Sequence, residues 1–219
     1  MQIGSLRASA IAFGVVYIVG LILLGDLLGS SADSTKAFTE QFDSTADRIG
    51  HIVGAIALLA CALTILTFGL ASRMFFARRH PGLATDLIAG LSGLCAAGLL
   101  ITASLLVTPS LMRTLGELTD DPGIEANSAA AIAQAGTAVF VVTLLVIGVL
   151  TVLAGRLAVR NRVISRWVQI TGWLVALLTL AGLSVVAAFP MGLWWIAFGI
   201  SARMDRTAGG DSGQETGYE

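Results

Sequence analysis

Few side chains in this sequence have the chemistry to hold a metal, relay a proton or attack a carbonyl, and their spacing argues against each use. The two histidines, His51 and His80, would have to meet at one depth on facing helices to clamp a haem iron. His51 instead falls at the outer edge of an apolar run and His80 in an inner turn. Cys61 and Cys95 have no partner at metal-ligand spacing. Each lies in the middle of an apolar run, where a thiol packs as a small hydrophobe, and no disulfide framework is implied. Ser92, Thr102, Ser104, Thr143 and Ser184 lack the base one turn away that would make a hydroxyl nucleophilic. The expected use of these hydroxyls is a bond to the carbonyl one turn back. Gln134 and Gln169 sit close to helix starts and read as capping or interfacial residues. An ion route or proton relay calls for ionisable groups at mid-membrane depth. The nearest candidates, Asp26 and Asp86, lie at the ends of their runs, with Asp86 expected to pair with the Arg78–Arg79 cluster. These residues predict no enzyme, no metal site and no cofactor.

The elements that carry them are apolar helices. The chain has 219 residues, 56% of them hydrophobic and only 12% charged, with a mean hydropathy of +0.86. So few charges cannot cover a water-soluble globule of this size. A helix crossing a hydrocarbon layer of about 30 Å needs roughly 20 apolar residues. The sequence predicts an all-α, polytopic transmembrane bundle over residues 1–205. Its six spans lie at about 8–28, 49–72, 83–107, 128–155, 167–187 and 188–203, ahead of a disordered polar tail at 206–219. The first run is preceded by Arg7 and followed by Ser30-Ser31-Ala32, a passable cleavage site, but it is longer than a signal-peptide core and reads as a retained span.

Charge sets the orientation. Ten of the thirteen Lys and Arg fall in alternate gaps: Arg7, Arg73, Arg78, Arg79, Arg156, Arg160, Arg162, Arg166, Arg203 and Arg206. The other gaps carry Lys36, Arg48 and Arg113 with nine of the fourteen acids: Asp26, Asp33, Glu40, Asp43, Asp47, Glu117, Asp120, Asp121 and Glu125. By the positive-inside rule the arginine-bearing side is cytoplasmic, with both termini on it. Anionic lipid headgroups account for those arginines without any nucleic acid.

Several local features refine this map. Ser34 can cap a short outer helix in which Phe38 and Phe42 share one face, the alternative being a solvated loop. Thr108-Pro109 is expected to end or kink the third span, with Leu111, Leu115 and Leu118 on a short amphipathic helix beyond it. Phe189-Pro190 is expected to break the fifth, leaving Trp194-Trp195 in an outer aromatic belt. The last apolar piece, 191–202, is short, so a five-span chain is the alternative. That alternative strands Arg203 and Arg206 outside, whereas a local thinning permits a sixth crossing. An internal echo agrees with six: Phe68-Gly69-Leu70-Ala71-Ser72-Arg73-Met74 and Phe198-Gly199-Ile200-Ser201-Ala202-Arg203-Met204 both close a span at the inner side. Small residues at four-residue spacing, Gly25 with Gly29, Gly50 with Gly54, and Ala89, Gly93 and Ala97, are expected to let helices approach closely within the bundle, the alternative being contact between subunits.

Asp47-Arg48 before a Gly- and Ala-bearing span that ends at Arg73, the Arg166-Trp167 entry to a Gly172-Trp173 helix, and Pro190 with Trp194-Trp195 together resemble a widespread actinobacterial group of uncharacterised six-helix membrane proteins. The resemblance covers nearly the whole chain. It implies a bacterial inner (plasma) membrane and six spans, and it assigns no catalytic or ligand residue. Two functions are therefore expected to compete. One is an accessory, assembly or interaction subunit that contacts membrane lipids and another membrane protein or itself. The other is a binder or carrier of a lipid or small apolar molecule, entered near the outer leaflet past Phe38, Phe42, Leu111, Leu115, Trp194 and Trp195.

Overall fold

Where no water reaches the backbone, each amide and carbonyl must find its partner within the chain, and for a lone apolar segment the helix is the solution. The computed structural model describes residues 2–29, 44–77, 82–119, 125–182 and 185–202. Among them are six helices and no strand: α1 Gln2–Gly29, α2 Thr45–Phe76, α3 Leu83–Thr119, α4 Ala126–Arg160, α5 Arg166–Gly182 and α6 Val185–Ser201. Four apolar stretches, Ile3–Gly25, Thr45–Phe76, Leu83–Thr119 and Asn127–Arg160, are long enough to cross a membrane. This is the build of a helical membrane protein. The other two helices have 17 residues each, or about 25 Å. Phe38, Phe42, Ser34, His80, Arg78, Arg79, Arg203, Arg206 and the tail at 206–219 lie outside the described residues.

Two expected helix ends are corrected. α3 runs through Pro109 as one helix of 37 residues. A proline removes one backbone hydrogen bond, and here contacts on both sides of it hold the helix together: Gly98 against Thr143 of α4 before it, and Ser110 against His51 of α2 after it. Leu111, Leu115 and Leu118 therefore continue the exposed face of α3 rather than forming a separate helix. Likewise Pro190 lies inside α6, and α5 ends at Gly182.

The helices form a sequential ring. Each packs on the next, and α6 closes the circle against α1. Every neighbouring pair is antiparallel, as close approaches show: Gly20 meets Leu58 and Gly54 meets Leu24 for α1 and α2, and Gly69 meets Ser92 for α2 and α3. Gly136 meets Leu106 for α3 and α4, Gly155 meets Gln169 for α4 and α5, Gly172 meets Trp194 for α5 and α6, and Gly192 meets Ile18 for α6 and α1. Arg7 Nε donates to Gly199 O at 3.1 Å, so the start of α1 and the end of α6 share one end of the bundle.

The core is aromatic and aliphatic. Trp195 is fully buried, edge-on to Phe13 (ring centroids 5.3 Å apart) and to Phe68 (4.7 Å), and Phe13 stacks on Tyr17. Outward stand Val15, Ile22, Leu63, Leu70, Leu94, Ile101, Val142, Val149, Leu174, Leu178 and Leu193. An apolar core inside an apolar exterior is what a lipid solvent selects.

Candidate functional site

Antiparallel packing brings Arg7, Arg73, Arg156, Arg160, Arg162 and Arg166 to one end of the ring. Arg48 and Arg113 lie at the other end with Asp47, Glu117 and Glu125. Among the described residues the charge partition read from the gaps is thus a partition in space.

At the acidic end, α2 begins at Ser44, whose hydroxyl accepts from the Asp47 amide at 3.4 Å and caps the helix. One turn on, Arg48 is buried against α3. Its Nη1 lies 2.8 Å from Glu117 Oε2, and its Nη2 donates to Thr45 Oγ1 at 3.2 Å. A turn deeper, His51 Nδ1 and Ser110 Oγ are 3.1 Å apart, both buried. A serine beside a histidine has the parts of a nucleophile and its base. Neither side chain is open to a substrate, so the contact serves to tie α2 to α3. Sequence reasoning missed these pairs because the partners are far apart in the chain, and their one local sign is that Arg48 and His51 share a helix face.

A charge buried on one side of an ion pair is costly to orphan. Glu117→Ala is expected to cost about 1–2 kcal/mol, below the 3–5 of a fully buried pair because the Glu117 side chain is 52% exposed and screened by water. Adding Arg48→Met should recover most of that loss. Equilibrium unfolding of the two single variants and the double variant in mixed micelles measures the coupling.

At the arginine end, Arg73 Nε pairs with Asp86 Oδ1 at 3.2 Å across the α2–α3 turn. The carboxylate expected to serve Arg78–Arg79 thus has Arg73 as its partner. At the same end, α4, α5 and α6 meet around a crevice of about 750 Å³. Arg160, Arg162 and Arg166 line it, with Val159, Val163, Ile164, Ser165, Ile200 and Ser201.

The remaining expected site residues do not converge. Leu111 and Leu115 are exposed on α3, while Trp194 and Trp195 are buried in the ring rather than set in an outer belt. Trp194 Nε1 donates to Val168 O at 2.7 Å, close to the arginine end, and its indole fills the space left by Gly172. The tryptophan exposed at an end is Trp167, next to Arg166. Of the expected packing glycines, Gly54 does its work against Leu23 and Leu24, and Gly29 ends α1. A methyl placed on Gly25, Gly50 or Gly93 would meet nothing within 4 Å. The close approaches fall instead at Gly14, Gly69, Gly98, Gly136, Gly172, Gly192 and Gly199. Ser92, Ser104 and Thr143 bond to carbonyls one turn back as expected, whereas the buried Thr102 Oγ1 has no hydrogen-bond partner, and Ser184 lies outside the described residues. Cys61 and Cys95 are buried and unbridged. Among the described residues no group of three His, Cys, Asp or Glu side chains could hold a metal ion.

Compared with family models, curated proteins and solved structures, the chain matches none.

Proposed function

We propose that this chain is a non-catalytic six-span module of a bacterial plasma membrane, with the arginine end and both termini in the cytoplasm, that acts by contacting another membrane protein or a second copy of itself. One observation carries the reading. The outward face of α3 presents Leu83, Leu87, Gly90, Leu94, Ala97 and Ile101 in a 4-3-4-3-4 spacing, with Gly93 beside it. A methyl on Gly90 or Gly93 would touch nothing in the chain. A glycine inside a helix costs about 1 kcal/mol against alanine. With no internal packing in return, the use that justifies it is the close approach of a helix from outside, since small residues between leucines are what membrane helix contacts favour.

The test is site-directed crosslinking in native membranes through a cysteine at Ala97, with and without Gly90→Leu and Gly93→Leu. The wild-type face should yield a discrete adduct, to itself or to one co-purifying chain, and the leucine variants should lose it while the protein accumulates normally. A wild type that forms no adduct, or leucine variants that crosslink undiminished, overturns the proposal. Orientation has its own check. Cysteines at Ser31 and Ala126 should label from outside the cell and one at Gly210 from within; Gly210 labelled from outside would reduce α6 to a surface helix.

A further inference from the structure

The crevice at the arginine end is built from two locally unfavourable choices. α4 ends in a turn in which the Val163 amide reaches back to Ala158 O at 2.8 Å and the Arg162 amide to Val159 O at 2.9 Å. This double bond pattern normally places glycine at the left-handed position. Here that position is Arg162, with φ 55°, the one non-glycine residue of positive φ among the described residues. The second choice is Arg166, which opens α5. A cation in the first turn opposes the helix dipole, which favours negative charge there.

The bland explanation covers half of this. Arg160 and Arg162 can answer the exposed carbonyls at the end of α4. Arg166 gains nothing of that kind, and three guanidinium groups lining one crevice repel each other. Among the described residues none of the three is in an ion pair, and no carboxylate lines the crevice. Both choices, and the clustering of the three guanidinium groups, become favourable together if an anion sits between them, held by guanidinium forks and by the free amides at the start of α5.

We propose that this crevice binds a phosphate ester, with an anionic phospholipid headgroup as its source. Guanidinium pairs with phosphate in bidentate geometry, and basic pockets between helices on the cytoplasmic side suit such headgroups. The apolar part of the lining points to the lipid: the exposed Ile200 and the half-buried Val159, backed by the buried Val163 and Ile164, give the glycerol and upper acyl carbons a surface that free phosphate would not use. Trp167, 76% exposed beside Arg166, has the amphipathic ring that settles at headgroup depth. The Arg7 bond to Gly199 O ties the α6 wall of the crevice, at the residue before Ile200, to α1.

The experiment is a titration of the purified full-length chain with phosphatidylglycerol and, separately, phosphatidylcholine, counting retained lipids by native mass spectrometry. Wild type should retain phosphatidylglycerol in preference to phosphatidylcholine. Arg162→Gly and Arg166→Gln should each weaken phosphatidylglycerol retention about tenfold, the loss of one charge-assisted hydrogen bond. Arg156→Gln, an exposed arginine of the same end but outside the crevice, should change it less than about twofold. Arg162→Gly also removes the left-handed strain, so its melting temperature should hold or rise, which separates lost binding from lost folding. Equal weakening by Arg156→Gln and the crevice variants would show diffuse attraction and overturn the site, as would equal retention of phosphatidylcholine. Millimolar inorganic phosphate that leaves the lipid in place supports the lipid source, and displacement of the lipid by phosphate overturns that assignment.

Discussion

Trp195→Ala is expected to remove roughly 3–4 kcal/mol of stability, the range for emptying a large aromatic from a packed core. In a bilayer the alternative to the core is lipid tail, as apolar as the core itself, so the loss is one of packing rather than of transfer from water. Trp195 is well placed to show it. Its side chain touches three helices at once, edge-on to Phe13 of α1 and Phe68 of α2 and against Trp194 and Phe198 of its own helix. The indole Nε1 has no hydrogen-bond partner. Trp195→Phe should therefore cost less than about 1 kcal/mol beyond its smaller volume, since no hydrogen bond is broken. Trp194→Phe should cost about 1 kcal/mol more, because it gives up the bond to Val168 O. Reversible unfolding in mixed micelles, followed by circular dichroism, reads all three. A Trp195→Ala chain as stable as wild type would mean that the aromatic core is not packed as described.

The second large effect is expected at the α1–α6 seam. A methyl on Gly14 would stand 2.5 Å from Gly192 O, 2.7 Å from a side-chain carbon of Ile196 and 3.0 Å from the Ile196 amide nitrogen. Two of these are backbone atoms and cannot turn aside, so Gly14→Ala must push two helices apart, at about 2–3 kcal/mol. Gly25→Ala is the matched control. Its methyl meets nothing, and in the same unfolding experiment it should be neutral or stabilising by up to about 1 kcal/mol. Equal effects from the two variants would overturn the seam. Helix propensity alone favours alanine at both, so the sign difference is the informative result.

These residues show where the fold was legible in sequence and where it was not. The apolar runs and the arginine gaps anticipate the helices and the two charged ends, because both follow from the solvent and not from any particular neighbour. The glycines were harder to read. Four-residue spacing identifies residues that share a face but not which face meets another helix, so Gly25, Gly50 and Gly93 were expected inside the bundle and stand open. Of the glycines that do pack, Gly14, Gly192 and Gly199 join opposite ends of the chain and carry no local signature. Pro190 misled in another way. Treated as a helix end, it places Trp194 and Trp195 at a membrane surface; lying inside α6, it carries them toward the arginine end and into the core. Tryptophan suits either setting, since an amphipathic ring is satisfied by headgroups or by a buried carbonyl such as Val168 O. His51–Ser110 and Arg48–Glu117 lie beyond the reach of any short motif, because each joins residues more than fifty positions apart.

The closure of α6 on α1 has a consequence for how the chain is made. Every other neighbouring pair can form as soon as the next helix leaves the ribosome, but the seam through Gly14, Gly192 and Gly199 joins α1 to α6, the two helices of the ring farthest apart in order of synthesis. Contacts of such wide separation are slow to find each other. The nascent protein must wait as an open crescent, with the flanks of Phe13 and Tyr17 facing lipid, until Trp195 arrives to complete it.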